Sequence, residues 1–199
     1  GDSNVNNAQP LEGHCKLGQL AIAHNGTLTN AKIVRELLEE TGAVFQSTID
    51  SEVILSLTSR KASKGLEQAI VDAINMIQGA YAIVMTVEGK LVGIRDPHGI
   101  RPLCLGETSD GLYVLASESC ALDALGANFL RDIEPGEMVI IDNNEIESIK
   151  YKVNSIKSPC SFEFIYFARP DSIIDGIDVY SVRHEAGRAL YEQNPIEAD

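Results

Sequence analysis

No apolar run in this chain approaches the roughly 20 residues that a membrane-spanning helix needs. No basic stretch followed by an apolar stretch opens it, so an export signal is not legible either. These two absences exclude a membrane partner and point to the cytoplasm. Positive charge is also scarce: 16 Lys and Arg stand against 29 Asp and Glu, a net charge of −13, with no Lys/Arg cluster. Nucleic acid is bound through a basic patch that displaces counterions from phosphate, and no such patch can be built here. Cysteine is sparse and scattered, at Cys15, Cys104, Cys120 and Cys160, without a CxxC pair. A zinc ribbon or a disulfide framework is therefore not expected. What remains is an acidic chain, 44% hydrophobic, long enough to bury one substantial core.

The first eighteen residues are polar, with little pattern, and read as loop or extended chain; Ser3 has no neighbouring base and reads as a loop serine. Ala21-Ile22-Ala23 then forms a short apolar strand that ends in His24-Asn25-Gly26. Asn-Gly is a common hairpin turn. Here no second strand follows, because Ala31–Glu40 has helical spacing, with Ile33, Val34, Leu37 and Leu38 on one face and Thr29 or Asn30 as cap. An Asn amide and a Gly N–H side by side at a strand end suit the holding of an oxyanion. Asp50 precedes a second helical pattern at Val53, Ile54 and Leu57, where it serves as an N-cap, as a carboxylate for a substrate ammonium, or as both.

Leu66 to Ile77 carries an apolar stripe at spacings of three and four, ended by Gly79. Ala80–Val87 and Leu91–Ile94 predict a hairpin across Glu88-Gly89, its first strand buried on both faces. Arg95 to Leu103 is a Pro/Gly turn carrying charges, with His98 as a solvated turn residue. Cys104 sits inside an apolar strand and Cys120 opens a helix; both are expected in the core. Glu137–Asp142 and Glu145–Tyr151 predict strands about an Asn143-Asn144 turn. Ser158 to Ser172 is strand-like and aromatic and reads as a final core strand broken at Pro170, and Val179 to about Gln193 as a helix. These elements predict an α+β class, with helices on antiparallel sheets.

The run Ala-His-Asn-Gly-x-Leu-x-Asn-Ala at 23–31, followed by Asp50-Ser51-Glu52, resembles the class II, N-terminal-nucleophile glutamine amidotransferases. Phe164-Ile165-Tyr166-Phe167-Ala168-Arg169-Pro170-Asp171-Ser172 resembles the amidophosphoribosyltransferase branch of that family. It argues against the asparagine synthetase and glucosamine-6-phosphate synthase branches, which stay as alternatives beside a non-catalytic glutamine-binding domain. The resemblance implies a four-layer αββα sandwich, incomplete at its N-terminus, over 1–168, with 169–199 leading toward a phosphoribosyltransferase domain. It implies that Asn25 and Gly26 stabilise the tetrahedral oxyanion of the glutamine amide and that Asp50 holds the glutamine α-ammonium. The family's cysteine nucleophile and its carboxylate-gripping arginine are expected upstream of Gly1, so these residues alone are expected not to hydrolyse glutamine. The second substrate, phosphoribosyl pyrophosphate, and its Mg²⁺ belong to the other domain; no loop for that ligand occurs here. In the iron–sulfur branch the cysteine before Phe-Glu-x-Ile-Tyr is a [4Fe–4S] ligand, so Cys160 reads either as that thiolate or as a partly buried structural thiol. A full-length homo-oligomer is the last implication.

Overall fold

Period-2 alternation of apolar residues builds the strands, and period-3.6 stripes build the helices that cover them. The computed structural model describes residues 4–153 and 156–196, which leaves Ser3 outside. In chain order the elements are β1 (Leu11–Cys15), β2 (Gly18–Leu28), α1 (Ala31–Glu40), α2 (Ser51–Lys61), α3 (Leu66–Ile74), β3 (Gly79–Val87) and β4 (Lys90–Arg95). They continue with β5 (Cys104–Glu107), β6 (Tyr113–Ala116), α4 (Ser119–Leu125), β7 (Asn128–Asp132), β8 (Glu137–Asp142) and β9 (Glu145–Lys150). Last come β10 (Ile173–Ile174), β11 (Ile177–Asp178) and α5 (Val179–Gln193). The chain divides into two units, residues 1–101 with 133–157 and residues 102–132 with 158–199.

The first unit holds a six-stranded antiparallel sheet in the order β1-β2-β3-β4-β8-β9. Apart from His24, the buried residues of one face are apolar: Leu20, Ile22 and Leu28 of β2, Ile83, Met85 and Val87 of β3, Val92 and Ile94 of β4, Met138 and Ile140 of β8. Val34 and Leu38 of α1, Val53, Ile54 and Leu57 of α2, and Ala69, Ile70, Ala73 and Ile74 of α3 pack on that face. Each buried Val, Leu, Ile or Met among them contributes about 1.5–3 kcal/mol. The two predicted hairpins form, and their turns are left-handed at both central residues: φ 53° and 79° at Glu88 and Gly89, 47° and 63° at Asn143 and Asn144.

The second unit has a three-stranded antiparallel sheet, β6-β5-β7, with α4 closing a small core of Cys104, Leu122 and Ala127. The Cys104 thiol is pushed up to about 12, by burial first and by the Asp132 carboxylate second. Asp178 caps α5 by accepting the Ser181 N–H.

Several expectations are corrected. The first eighteen residues are not featureless, since Leu11–Cys15 pairs with Gly18–Ile22 as a hairpin edge. The strand does not end at His24-Asn25-Gly26 but runs on to Leu28, paired with β3 down to Gly79. Asn30 stands at the start of α1 without a capping hydrogen bond. Its amide instead donates to Met76 O at 2.9 Å and accepts from Gln78 N at 2.8 Å, tying α1 to the α3–β3 connection. Ile33 and Leu37 fall off the buried stripe and are exposed. α3 ends at Ile74, ahead of Gly79, and Thr86 is exposed, so β3 is not covered on both faces along its length. Cys120 is only half-buried, its thiol directed at Glu118.

Glu163–Phe167 is a π-helical turn, not a core strand, closed by Ala168 N–H donating to Glu163 O at 2.9 Å. Phe164 and Ala168 pack there with Ile174 and Val179, while Phe162, Ile165, Tyr166 and Phe167 stay exposed. The charges of the Arg95 turn divide. His98 is exposed as expected, but Arg95 and Asp96 are almost fully buried. Arg95 donates to the carbonyls of Gly99, Arg101 and Ile133, and Asp96 accepts the N–H groups of His98 and Arg101. These two side chains are what hold the turn closed.

Candidate active site

β2 outlasts β1, and that mismatch creates the site. Register with β1 ends at Ile22, so the β2 edge from His24 to Leu28 has no strand beside it. Along a strand the N–H groups alternate between its two edges, which puts those of His24, Gly26 and Leu28 on this open one. The first is taken by the Gln9 side chain: His24 N–H donates to Gln9 Oε1, and Gln9 Nε2 donates back to His24 O at 3.1 Å. A side-chain amide thus replaces the missing strand. The third is taken by Asp50, whose Oδ2 accepts the Leu28 N–H at 2.8 Å. The Gly26 N–H lies between them. Its β3 neighbour Tyr81 turns its own N–H and C=O toward Asp96, so Gly26 is not bonded across the ladder.

Gly26 is required here by space as well as by conformation. Its φ is 146°, and a Cβ would meet the Ala80 carbonyl oxygen at 2.0 Å. The neighbouring Asn25 side chain is exposed, with its amide free of hydrogen bonds to the described residues. Asn25 and Gly26 therefore present an amide and a backbone N–H at one point of a strand edge, an arrangement suited to a developing negative charge.

Asp50 stands at the start of α2 but does not cap it, because its side chain bonds β2 rather than the helix N–H groups. The cap reading is corrected accordingly. Its second oxygen, Oδ1, lies 3.4 Å from His24 Nδ1, and the side chain is 22% exposed. Burial works against ionisation, yet hydrogen bonds from His24 and the Leu28 N–H more than offset it, and the carboxyl sits below the ordinary aspartate value. A partly open carboxylate held ionised in this way is suited to an ammonium ion. The structure thus brings Asn25, Gly26 and Asp50 to one end of β2. Cys160 is in the other unit, half-buried, ahead of the π-helical turn.

Gln9, His24 and Ser51 were not assigned a role from sequence. His24 could have been found by its parity, because it continues the face of Leu20 and Ile22 that points at the helices. A cleft of about 520 Å³ lined by Ile74, Gln78, Tyr81, His98 and Tyr151 includes none of the site residues. Among the described residues no group of three His, Cys, Asp or Glu is placed to hold a metal ion. No helix among the described residues is long and apolar enough to cross a membrane.

An open α+β fold with this strand-edge site defines a class, and residues 2–124 match the family model of the glutamine amidotransferase domain, to which the chain belongs. Within it, the chain is 45% identical over 203 residues to the amidophosphoribosyltransferase of Archaeoglobus fulgidus, covering all of this chain and 44% of that one. It is 42% identical to the Bacillus subtilis amidophosphoribosyltransferase, again over its whole length. The structure of B. subtilis glutamine phosphoribosylpyrophosphate amidotransferase complexed with ADP and GMP superposes over 100% of this chain with a TM-score of 0.94. The expected fold, α+β of the N-terminal-nucleophile type, holds on that match. The chain spans less than half the length of these relatives.

Proposed function

We propose that this chain is the glutamine-hydrolysing part of an amidophosphoribosyltransferase, which uses the ammonia from glutamine to convert phosphoribosyl pyrophosphate to 5-phosphoribosylamine, the first committed step of purine biosynthesis. The observation that carries the reading is the open Gly26 N–H beside the free Asn25 amide, with the Asp50 carboxylate bonded two residues further along the same edge. The similarity to amidophosphoribosyltransferases over the whole chain supports the choice of second reaction.

A thiolate from the full-length protein attacks the glutamine amide carbon, and the carbonyl electron pair moves onto oxygen. Asn25 Nδ2 and Gly26 N–H stabilise that oxyanion. The C–N bond breaks as the carbonyl re-forms, the amide nitrogen taking the thiol's proton from the nucleophile's own α-amino group and leaving as ammonia, and water then releases glutamate from the thioester. Asp50 holds the α-ammonium throughout and fixes which end of the substrate enters. Residues 1–168 are assigned to the glutaminase and 169–199 to the connection toward a phosphoribosyltransferase domain, where Mg²⁺ acts. We further place the enzyme in the cytoplasm as a homo-oligomer, and Cys160 as one thiolate of a [4Fe–4S] cluster. In the full-length enzyme, Asn25→Ala should lower kcat for glutamate release by on the order of 10² to 10³, the cost of losing one oxyanion donor. An unchanged kcat removes the assignment.

A further inference from the structure

We infer that His24 is a positioning residue for the substrate ammonium: its imidazole sets the Asp50 carboxylate in the orientation that receives the α-amino group of glutamine. The inference rests on the reading of Asp50 given above and adds to it a residue that reaches substrate only through another.

The sheet explains why the ring is where it is. His24 lies on the helix-covered face of β2, in line with Leu20 and Ile22, where an aliphatic side chain would extend the core. A histidine there costs the burial of two ring nitrogens. The ring is 1% exposed, and Ser51 beside it is 0% exposed. Its backbone is clamped on both polar groups by Gln9, so the ring has a fixed base.

The polar contacts of the ring all point to the start of α2. Nδ1 is 3.4 Å from Asp50 Oδ1 and 3.3 Å from Ser51 Oγ. Facing a carboxylate, Nδ1 is the donor of that pair, with the Ser51 hydroxyl beside the same nitrogen. With Leu28 N–H on Oδ2 and the imidazole on Oδ1, both oxygens of Asp50 are held from the protein side. The carboxylate plane is thereby set before substrate arrives, and ordering cost at binding falls.

The other nitrogen separates this from an ordinary buried histidine. Nε2 has no hydrogen-bond partner among the described residues, although it is buried. It faces Gly26, since a Cβ on that residue would lie 3.0 Å from it. A structural histidine satisfies both nitrogens, because a buried unpaired one is destabilising. This ring leaves one unpaired and keeps the one that touches the carboxylate.

The test compares glutamine with 4-carbamoylbutanoate, which has the amide and the carboxylate but no α-amino group, as substrates of the full-length enzyme. His24→Gln should lower kcat/KM for glutamine about tenfold or more, mainly through KM, as expected for a weakened charged hydrogen bond. It should leave 4-carbamoylbutanoate nearly unaffected, so the preference for glutamine collapses. His24→Asn places an amide N–H near the Nδ1 position and should keep most of the preference. Equal losses on both substrates in His24→Gln overturn the inference, as does a folded His24→Asn enzyme that has lost the preference. Asp50→Asn separates the two levels of the argument. If it leaves the wild-type preference intact, the ammonium reading of Asp50 itself fails. If it abolishes the preference while His24→Gln does not, only the role of His24 fails.

Discussion

At the scale of single residues, Gly26 and Asp50 each carry a constraint that sequence spacing does not reveal. A methyl group at Gly26 would overlap the Ala80 carbonyl, and a φ of 146° is one that L side chains rarely adopt. Gly26→Ala should therefore cost on the order of 2 to 5 kcal/mol from overpacking and backbone strain together. It should also displace the N–H offered to the oxyanion. Urea unfolding and glutaminase kinetics on the same preparation check both effects, and a stable, fully active variant contradicts the geometry. Asp50 contributes through β2, where an Asn Oδ1 can still accept the Leu28 N–H, so Asp50→Asn should scarcely lower the melting temperature. Its KM for glutamine should rise roughly tenfold or more, because a hydrogen bond to a charged group contributes about 1.5–3 kcal/mol. A lowered melting temperature with an unchanged KM would reverse that assignment.

At the scale of elements, the difference in length between β1 and β2 matters more than any one helix. It frees a strand edge, which Gln9 and Asp50 partly fill and Gly26 leaves open. The π-helical turn Glu163–Phe167 is the second unusual element, since it buries Phe164 and turns three other large side chains outward. Cys160 stands immediately before it. If Cys160 is a cluster ligand, anaerobically purified full-length protein should contain iron and the brown absorption of a [4Fe–4S] centre, and Cys160→Ser should lose both. Full iron content in Cys160→Ser, or none in the wild type, removes the assignment.

At the scale of the whole molecule, the chain spans less than half of its relatives' length, and in the proposed function it supplies one of two half-reactions. The two chemistries should therefore separate by substitution. In the full-length enzyme, Asn25→Ala should lower glutamine-dependent phosphoribosylamine formation by on the order of 10² to 10³ while leaving the ammonia-dependent reaction within about twofold, because added ammonia bypasses the oxyanion step. Phosphoribosyl pyrophosphate consumption measured with glutamine and then with ammonium chloride decides it. Parallel loss of both rates would mean that Asn25 acts on the fold rather than on the amide.

Much of this was legible in the residues alone. Local periodicity and turn chemistry decided the bounds of α1 and α5 and the hairpins at Glu88-Gly89 and Asn143-Asn144, because helix stripes and left-handed turn residues are short-range requirements. The motif around Asn25, Gly26 and Asp50 pointed to the family, which the match over residues 2–124 bears out. Tertiary structure alone decided how that chemistry is built. Whether Asp50 caps a helix or bonds a strand depends on where β2 passes, 22 residues earlier in sequence. Whether Phe162 to Ala168 is a strand depends on a partner edge, and none was offered to it, so an apolar run with β propensity folded as a π-helical turn. The sequence shows Arg95 and Asp96 only as charges in a turn, yet they are buried, because two carbonyls and two N–H groups of that turn, and the carbonyl of Ile133 38 residues on, find their partners there. Hydrogen-bond satisfaction over long sequence separations is a property of the folded chain, and no local window contains it.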